Sequence, residues 1–359
     1  MKQQKFIRIL AVLCILALLP VFGAACGNSG QADVHVFYYT YSDPYISTVR
    51  QSMDAMLEKA GIRYQDYDGA GNQTTQTEQI QTAITSGARV IVVNVVNTGS
   101  DDAAVGIVNL AKSAGIPVIF FNREVSDSVV DSYEKCAFVG TDAKEAGILQ
   151  GKMIGEYVTN AFEKLDINKD GKLSYVLFKG EEGNNEAIYR TKYAVEEADK
   201  LLSEAGLPPL SFYDEKNPNK YLVDRNGQWS AAAANEYMTT ALTSYNENKG
   251  NMIELVICNN DGMAEGAISA LTAAGYNTGA EGSRQIPVFG VDATAAAVDL
   301  IQKGRMTGTV KQDAEGMAEA VVKLAENAIK DVALTSGLEG YHVDENVFKI
   351  RIPYAQYLG

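Results

Sequence analysis

In Asp166-Ile167-Asn168-Lys169-Asp170-Gly171-Lys172-Leu173-Ser174, side-chain oxygens stand at the first, third and fifth positions, glycine at the sixth, and the Lys172 carbonyl at the seventh. This is the opening of an EF-hand-type calcium loop, whose glycine permits the sharp turn that brings alternating oxygens onto one hard cation. The twelfth position, where such loops carry a bidentate Glu, is Leu177, so the set needs a carboxylate from elsewhere in the fold. A second polar group, Asp43, Asn122, Asn260 and Asp292, is spread along the chain at the ends of short apolar runs. Singly, each reads as a turn residue or helix cap. Together they supply planar acceptors and donors of the kind that bridge adjacent hydroxyls of a neutral polyol. Trp229, the one tryptophan, and Tyr45 offer flat faces for the CH patches of a pyranose.

Catalysis is poorly served. His35 and His342 are the only histidines, neither follows a strand in a cleft position, and no HExxH, GxSxG or Walker A loop occurs. An enzyme is therefore not expected. With 31 Lys+Arg against 45 Asp+Glu, for a net charge of −14 over 359 residues, binding that rests on phosphate neutralisation is disfavoured, and no nucleic-acid partner is expected.

The elements that position these residues alternate. Strands are expected at Val34–Thr40, Arg63–Tyr67, Val90–Val96, Pro117–Phe121 and Ala137–Val139, with helices such as Thr48–Ala60, Thr74–Ser86 and Asp102–Ala114 between them. The pattern repeats with strands near Leu173–Phe178, Leu210–Tyr213, Glu254–Cys258, Pro287–Gly290 and Thr307–Val310, and helices near Glu186–Ala205, Ala231–Asn248, Met263–Ala274 and Ala295–Lys303. Such alternation means βαβ units, so the expected class is α/β with two Rossmann-like lobes, each built on a parallel sheet. An internal echo supports equivalence: Ile116-Pro117-Val118 leads to Asn122 in one half, and Ile286-Pro287-Val288 leads to Asp292 in the other. Ligands of open parallel sheets bind outside the carboxyl ends of the strands, so two facing lobes make a cleft into which these residues converge.

Residues 1–25 read as a secretory signal: Lys2, Lys5 and Arg8, an apolar run from Ile9 to Leu19, then Gly23, Ala24 and Ala25. The apolar run is shorter than the roughly 20 residues that span a bilayer. Cys26 directly follows the small residues and matches a lipoprotein cleavage site, with residues 26–33 as a lipidated tether. Export, with a lipid anchor on the outer face of the cytoplasmic membrane, is the expected location. Cys136 and Cys258 lie in apolar runs and read as buried thiols.

Several stretches give the chain a family likeness: Tyr41-Ser42-Asp43-Pro44-Tyr45, Val118 to Glu124, Val139-Gly140-Thr141-Asp142, the 166–171 loop, Cys258-Asn259-Asn260-Asp261 and Val288 to Ala293. From about Val34 to Tyr354 it resembles the galactose/glucose-binding receptors of bacterial ABC sugar transport, within the ribose-type periplasmic binding proteins. The resemblance implies a type I architecture with three crossovers between lobes, near Thr141, Lys311 and Asn346. Residues 34–141 plus 312–345 would form one lobe and 142–311 plus 346–359 the other. It implies hydrogen bonds to a monosaccharide from Asp43, Asn122, Arg190, Asn260 and Asp292, between aromatic walls at Tyr45 and Trp229. It also implies a structural Ca2+ held by Asp166, Asn168, Asp170, the Lys172 carbonyl and Ser174, completed by Glu254. Departures are Asn184-Asn185-Glu186 where the family has His-Pro-Asp, Gln312 where it has Asn, Tyr45 where it has Phe, and Ser174 where it has Gln. Asn184, Glu186 and Gln312 keep hydrogen-bonding character, so hydroxyl binding is expected to persist with an altered preference among galactose, glucose, methyl galactoside or another aldose. The implied role is a solute receptor that delivers its sugar to an ABC permease. A chemoreceptor or sensor kinase is the alternative partner.

Overall fold

Asp43 and Pro44 show how the sequence starts an element. The Asp43 carboxylate accepts the backbone N–H of Ile46, and Pro44 occupies the first helical position, where a missing N–H costs nothing. In the computed structural model, which describes residues 31–359, this helix is α1 (Pro44–Lys59), between β1 (Val34–Tyr38) and β2 (Tyr64–Asp68). The first lobe continues with α2 (Gln73–Thr85), β3 (Val90–Val93), α3 (Asp102–Ala114), β4 (Val118–Phe121), α4 (Asp127–Asp131) and β5 (Cys136–Gly140). The second comprises α5 (Ala143–Leu165), β6 (Ser174–Lys179), α6 (Asn185–Glu204), β7 (Ser211–Phe212), β8 (Leu222–Val223), α7 (Ala231–Ser244), β9 (Leu255–Cys258), α8 (Asp261–Ala273), β10 (Val288–Asp292), α9 (Ala295–Gln302) and β11 (Gly308–Gln312). The chain then returns through α10 (Ala314–Ile329), β12 (His342–Val343) and β13 (Lys349–Arg351), and finishes with β14 (Tyr354–Tyr357).

The strands form two sheets. The first has the order β12-β13-β5-β4-β3-β1-β2, the second β14-β11-β10-β9-β6-β7 with β8 also paired to β6. All pairs are parallel except β12 with β13 and β11 with β14. Strands β1, β3, β4 and β5 are buried along their whole length, as expected for a parallel sheet covered on both faces. In the first lobe α1 and α10 cover one face and α2, α3 and α4 the other. In the second, α7, α8 and α9 lie opposite α5 and α6. Between α5 and α6 the approach is close: a Cβ at Gly147 would lie 2.7 Å from the Tyr189 carbonyl, and one at Gly151 2.8 Å from that of Ala194.

The chain crosses between lobes three times, after β5, after β11 and before β14. The third passage corrects the expectation of a crossing near Asn346. Residues Lys349–Arg351 pair with Phe138–Gly140 in the first sheet, so the crossing lies at Ile352–Pro353. The reason is chemical: Lys349 is buried, and its Nζ donates to Glu124 Oε1 (2.9 Å) and the Val125 carbonyl (2.8 Å), while Ile350 fills the first lobe's core. The signal segment, Cys26 and most of the tether lie outside the described residues. Among the described residues no helix is long and apolar enough to cross a membrane, and Cys136 and Cys258 are free and buried.

Candidate functional site

Strand-to-helix turns supply most of the site, because the residue that ends a strand and caps the next helix sits at the crevice. Asp43 caps α1, Asn184 caps α6 and Asn260 caps α8, each through one side-chain oxygen. Two other strand ends deliver residues in left-handed backbone, Asn122 (φ 62°) after β4 and Asp292 (φ 127°) at the end of β10. Trp229, before α7, has φ 55°. Non-glycine residues in this region cost on the order of 1–3 kcal/mol each and persist where the surroundings over-determine them, often at ligand clamps.

These turns enclose a small interlobe cavity. All ten residues expected at the ligand site line it: Asp43, Tyr45 and Asn122 from the first lobe, Asn184, Glu186, Arg190, Trp229, Asn260 and Asp292 from the second, and Gln312 at the second crossover. Tyr39 and Arg123 also line it, beyond the residues expected from the sequence. Their signal is adjacency: Arg123 follows Asn122, and Tyr39 directly follows β1 on the way to Asp43, to whose Oδ2 its hydroxyl donates (2.6 Å).

Trp229 is fixed from three sides. The Asn260 amide donates to its carbonyl (3.2 Å), its own Nε1 donates to Glu181 (3.4 Å), and its ring lies so close to Gly180 that any Cβ there would overlap it. Arg190 is buried; Nη1 donates to the Asn259 carbonyl (2.9 Å), and Nη2 donates to Gln312 Oε1 (3.2 Å) and the Tyr354 hydroxyl (2.8 Å). Glu186 accepts the Glu124 N–H across the lobe boundary with Oε1 (3.0 Å). Arg190 Nε, Gln312 Nε2 and Glu186 Oε2 are buried without a protein partner. Such atoms cost about 1–3 kcal/mol each unless a ligand or water satisfies them. Burial raises the Asp292 carboxyl well above its ordinary range, opposed by Arg190 and assisted by Asp261 and Asp43. Glu186 is raised by burial and by Glu124.

The rim is closed by contacts between lobes. Arg123 pairs with Glu181 and lies 4.4 Å over the Tyr39 ring, while the Asn184 amide donates to Thr98 (3.0 Å).

Over residues 34–331 the chain matches the family model for the periplasmic binding protein domain. It is a periplasmic binding protein. The D-galactose/methyl-galactoside binding periplasmic protein of Haemophilus influenzae is 35% identical over 346 residues, covering 96% of this chain and 95% of that one. The D-xylose-binding periplasmic protein of Escherichia coli is 28% identical, covering 81% and 78%. Among solved structures, an ABC transporter solute binding protein from Bacillus halodurans with bound myo-inositol superposes with a TM-score of 0.68 at 26% identity, covering 92% of this chain and 96% of that one. The family is one of binding receptors rather than enzymes, and its two-lobed type I fold is the one described above.

Away from the cleft, the 166–174 loop of this periplasmic binding protein is drawn together by Glu254, just before β9. Its Oε1 accepts the N–H groups of Ile167 (2.7 Å) and Asn168 (3.0 Å), and its Oε2 accepts those of Ser174 (2.9 Å) and the Ser174 hydroxyl (3.2 Å). Asp166 accepts from Asp170 and Gly171, and Asp170 from Lys172. The Asn168 amide is paired with the Met252 backbone. The donors are all oxygens, which suits calcium chemically. In this arrangement their hydrogen bonds run to the backbone, and among the described residues no three His, Cys, Asp or Glu side chains are gathered to hold an ion.

Proposed function

We propose that the protein is an extracytoplasmic receptor that captures a neutral aldohexose, D-galactose or D-glucose or a methyl galactoside, and presents its closed form to an ABC permease. The observation that carries the reading is the lining of the cavity: polar groups from both lobes, with unpaired buried donors on Arg190 and Gln312, an unpaired acceptor on Glu186, and rings at Tyr45 and Trp229. A sugar hydroxyl both donates and accepts, so it satisfies this mixed set as no purely apolar or purely anionic ligand does. Neutrality follows from the lining: it carries the carboxyls of Asp43, Glu186 and Asp292, of which burial holds Asp292 towards its protonated form, and one uncompensated cation, Arg190, because Arg123 is paired with Glu181. Closure is a population shift, since contacts from both lobes exist together only when the cleft is shut. Lipidation of Cys26 would hold the receptor beside its permease. The oxygen donors of the 166–174 loop and the reach of Glu254 support a structural calcium in the second lobe; loading it requires Asp166, Asp170 and Glu254 to give part of their backbone hydrogen bonding to the ion.

Titration calorimetry of the mature protein, carrying Cys26→Ser, against galactose, glucose, methyl galactosides, ribose and arabinose tests the ligand reading. One-to-one binding of a hexose in the micromolar range or tighter is expected. Silence across the panel would overturn it.

A further inference from the structure

Asn94 directly follows β3, fully buried and outside the cavity lining. Both ends of its amide meet backbone groups whose polarity has no alternative. Oδ1 accepts the Tyr39 N–H (3.2 Å), and Nδ2 donates to the Phe121 carbonyl (3.1 Å). Turning the amide over would set NH2 against N–H and oxygen against carbonyl, leaving two buried bonds unmade. The backbone of Asn94 is held as well: its N–H donates to the Phe37 carbonyl (2.8 Å), and its carbonyl accepts from Gln76 Nε2 (2.9 Å). The second proton on Asn94 Nδ2 then meets Asn122 Oδ1 at 3.1 Å. An Asn122 amide in the opposite sense would bring two NH2 groups together. Backbone groups beside β1 and β4 thus decide, through Asn94, which end of Asn122 is engaged. Asn122 lines the cavity, and its Nδ2 makes no hydrogen bond to the described residues.

We infer that Asn94 is a positioning residue that sets the polarity of the ligand subsite at Asn122: it keeps Oδ1 turned into the lobe and leaves Nδ2 as the donor offered to the ligand. The ligand atom in that subsite is then an acceptor. A hydroxyl there sends its own proton to another partner, which fixes the direction of hydrogen bonding on this side of the sugar. All the groups involved belong to the first lobe, so the polarity is set before the cleft closes. The ligand half of the inference rests on the receptor reading; the orientation of the two amides does not.

The test is calorimetry with monodeoxy and monodeoxyfluoro analogues of galactose or glucose, whichever binds more tightly, because fluorine accepts a hydrogen bond and cannot donate one. At the ring position that faces Asn122, the fluoro analogue is expected to bind the wild type about twofold to fivefold more tightly than the deoxy analogue, the net worth of a modest hydrogen bond. Asn122→Asp keeps an acceptor for Asn94 and places a second acceptor in the subsite. Asn94→Asp keeps the Tyr39 bond with one oxygen and with the other draws the Asn122 NH2 inward. Both are expected to reverse the order of the two analogues at that same position, a change that loosened packing does not produce. A uniform loss across the panel, or the wild-type order in both variants, would overturn the inference. Where Asn94→Asp does not fold, Asn122→Asp still decides the polarity. Side-chain amide exchange in the ligand-free wild type reads the orientation directly, with the Asn122 pair assigned by its loss in Asn122→Asp. That pair is expected to exchange at least about tenfold faster than buried, bonded amide pairs such as that of Asn94. Equal protection would mean that Asn122 turns its NH2 inward and would overturn the inference. If no hexose binds the wild type, the receptor reading fails while the exchange rates still decide the role of Asn94.

Discussion

Asp43, Asn184 and Asn260 each give one side-chain oxygen to a helix N-terminus and still face the cavity. Cap and ligand contact are compatible because a carboxylate or amide oxygen has two lone pairs. Glu186 is the residue whose change says most about selectivity. One oxygen accepts the Glu124 N–H and the other is unpaired. Glu186→Gln keeps the first bond when the amide oxygen faces Glu124, and replaces the second acceptor by a donor. A hydrogen bond to a charged group contributes about 1.5–3 kcal/mol, so hexose affinity is expected to fall about tenfold to a hundredfold in calorimetry, with a changed galactose-to-glucose ratio. An unchanged isotherm would remove Glu186 from the ligand contacts. The carboxyl-rich lining, with Arg190 its one uncompensated cation, makes a second prediction: glucuronate and hexose 6-phosphate bind at least about a hundredfold more weakly than the neutral hexose, as an unpaired buried anion costs several kcal/mol. Equal affinity in the same titration would contradict it. The residues expected at the ligand site were legible because they sit at strand ends or match family motifs. The positive φ of Trp229 is not legible, since nothing in that residue type announces a left-handed backbone that tertiary contacts impose; Asn122 and Asp292 are types that tolerate it without requiring it.

Elements were legible where periodicity and turn chemistry agree. Strands such as Val90–Val93 and Val118–Phe121 are continuous apolar runs, and they fall where the sequence places them. The longest helix among the described residues, α5, is not announced by the sequence: Gly147, Gly151 and Gly155 lower helix propensity along the very stripe that lets α6 approach. β13 was missed for another reason, being three residues long and cut short by the proline that follows it. Two predictions belong at this scale. If the loop before β6 takes calcium, chelator lowers the melting temperature of the purified protein and calcium restores it, because an ion that binds only the folded state stabilises it; an unchanged melting temperature would remove the metal. The second concerns β2 against α1. Burial, together with Asp54, pushes the Asp66 carboxyl up to about 8 from 3.8, with Arg50 opposing. The folded state therefore binds a proton that the unfolded state has released between those values. This contribution is fully present below about pH 3.8 and is lost as pH rises through about 8. Asp66→Asn is expected to flatten the fall in melting temperature between pH 6 and pH 9, and a parallel pair of curves would count against it.

At the scale of the molecule, the second lobe's Glu181 connects recognition to closure without lining the cavity. It pairs with Arg123 of the first lobe and accepts the Trp229 indole N–H, so it ties one aromatic wall to the opposite lobe. The Arg123 side chain is 6% exposed and that of Glu181 19%, so the pair is mostly shielded when the cleft is shut, whereas opening returns both charges to water. Removing one partner penalises the closed state selectively, because a shielded charge without its mate is costly. The apparent affinity is the intrinsic one scaled by the closed fraction, and departure of the ligand requires the lobes to part. Glu181→Gln is therefore expected to weaken hexose binding about tenfold, mainly through faster dissociation in stopped-flow measurements, with the association rate within about twofold of wild type. A loss carried by the association rate would show that Glu181 steers the ligand into an open cleft rather than holding the lobes around it.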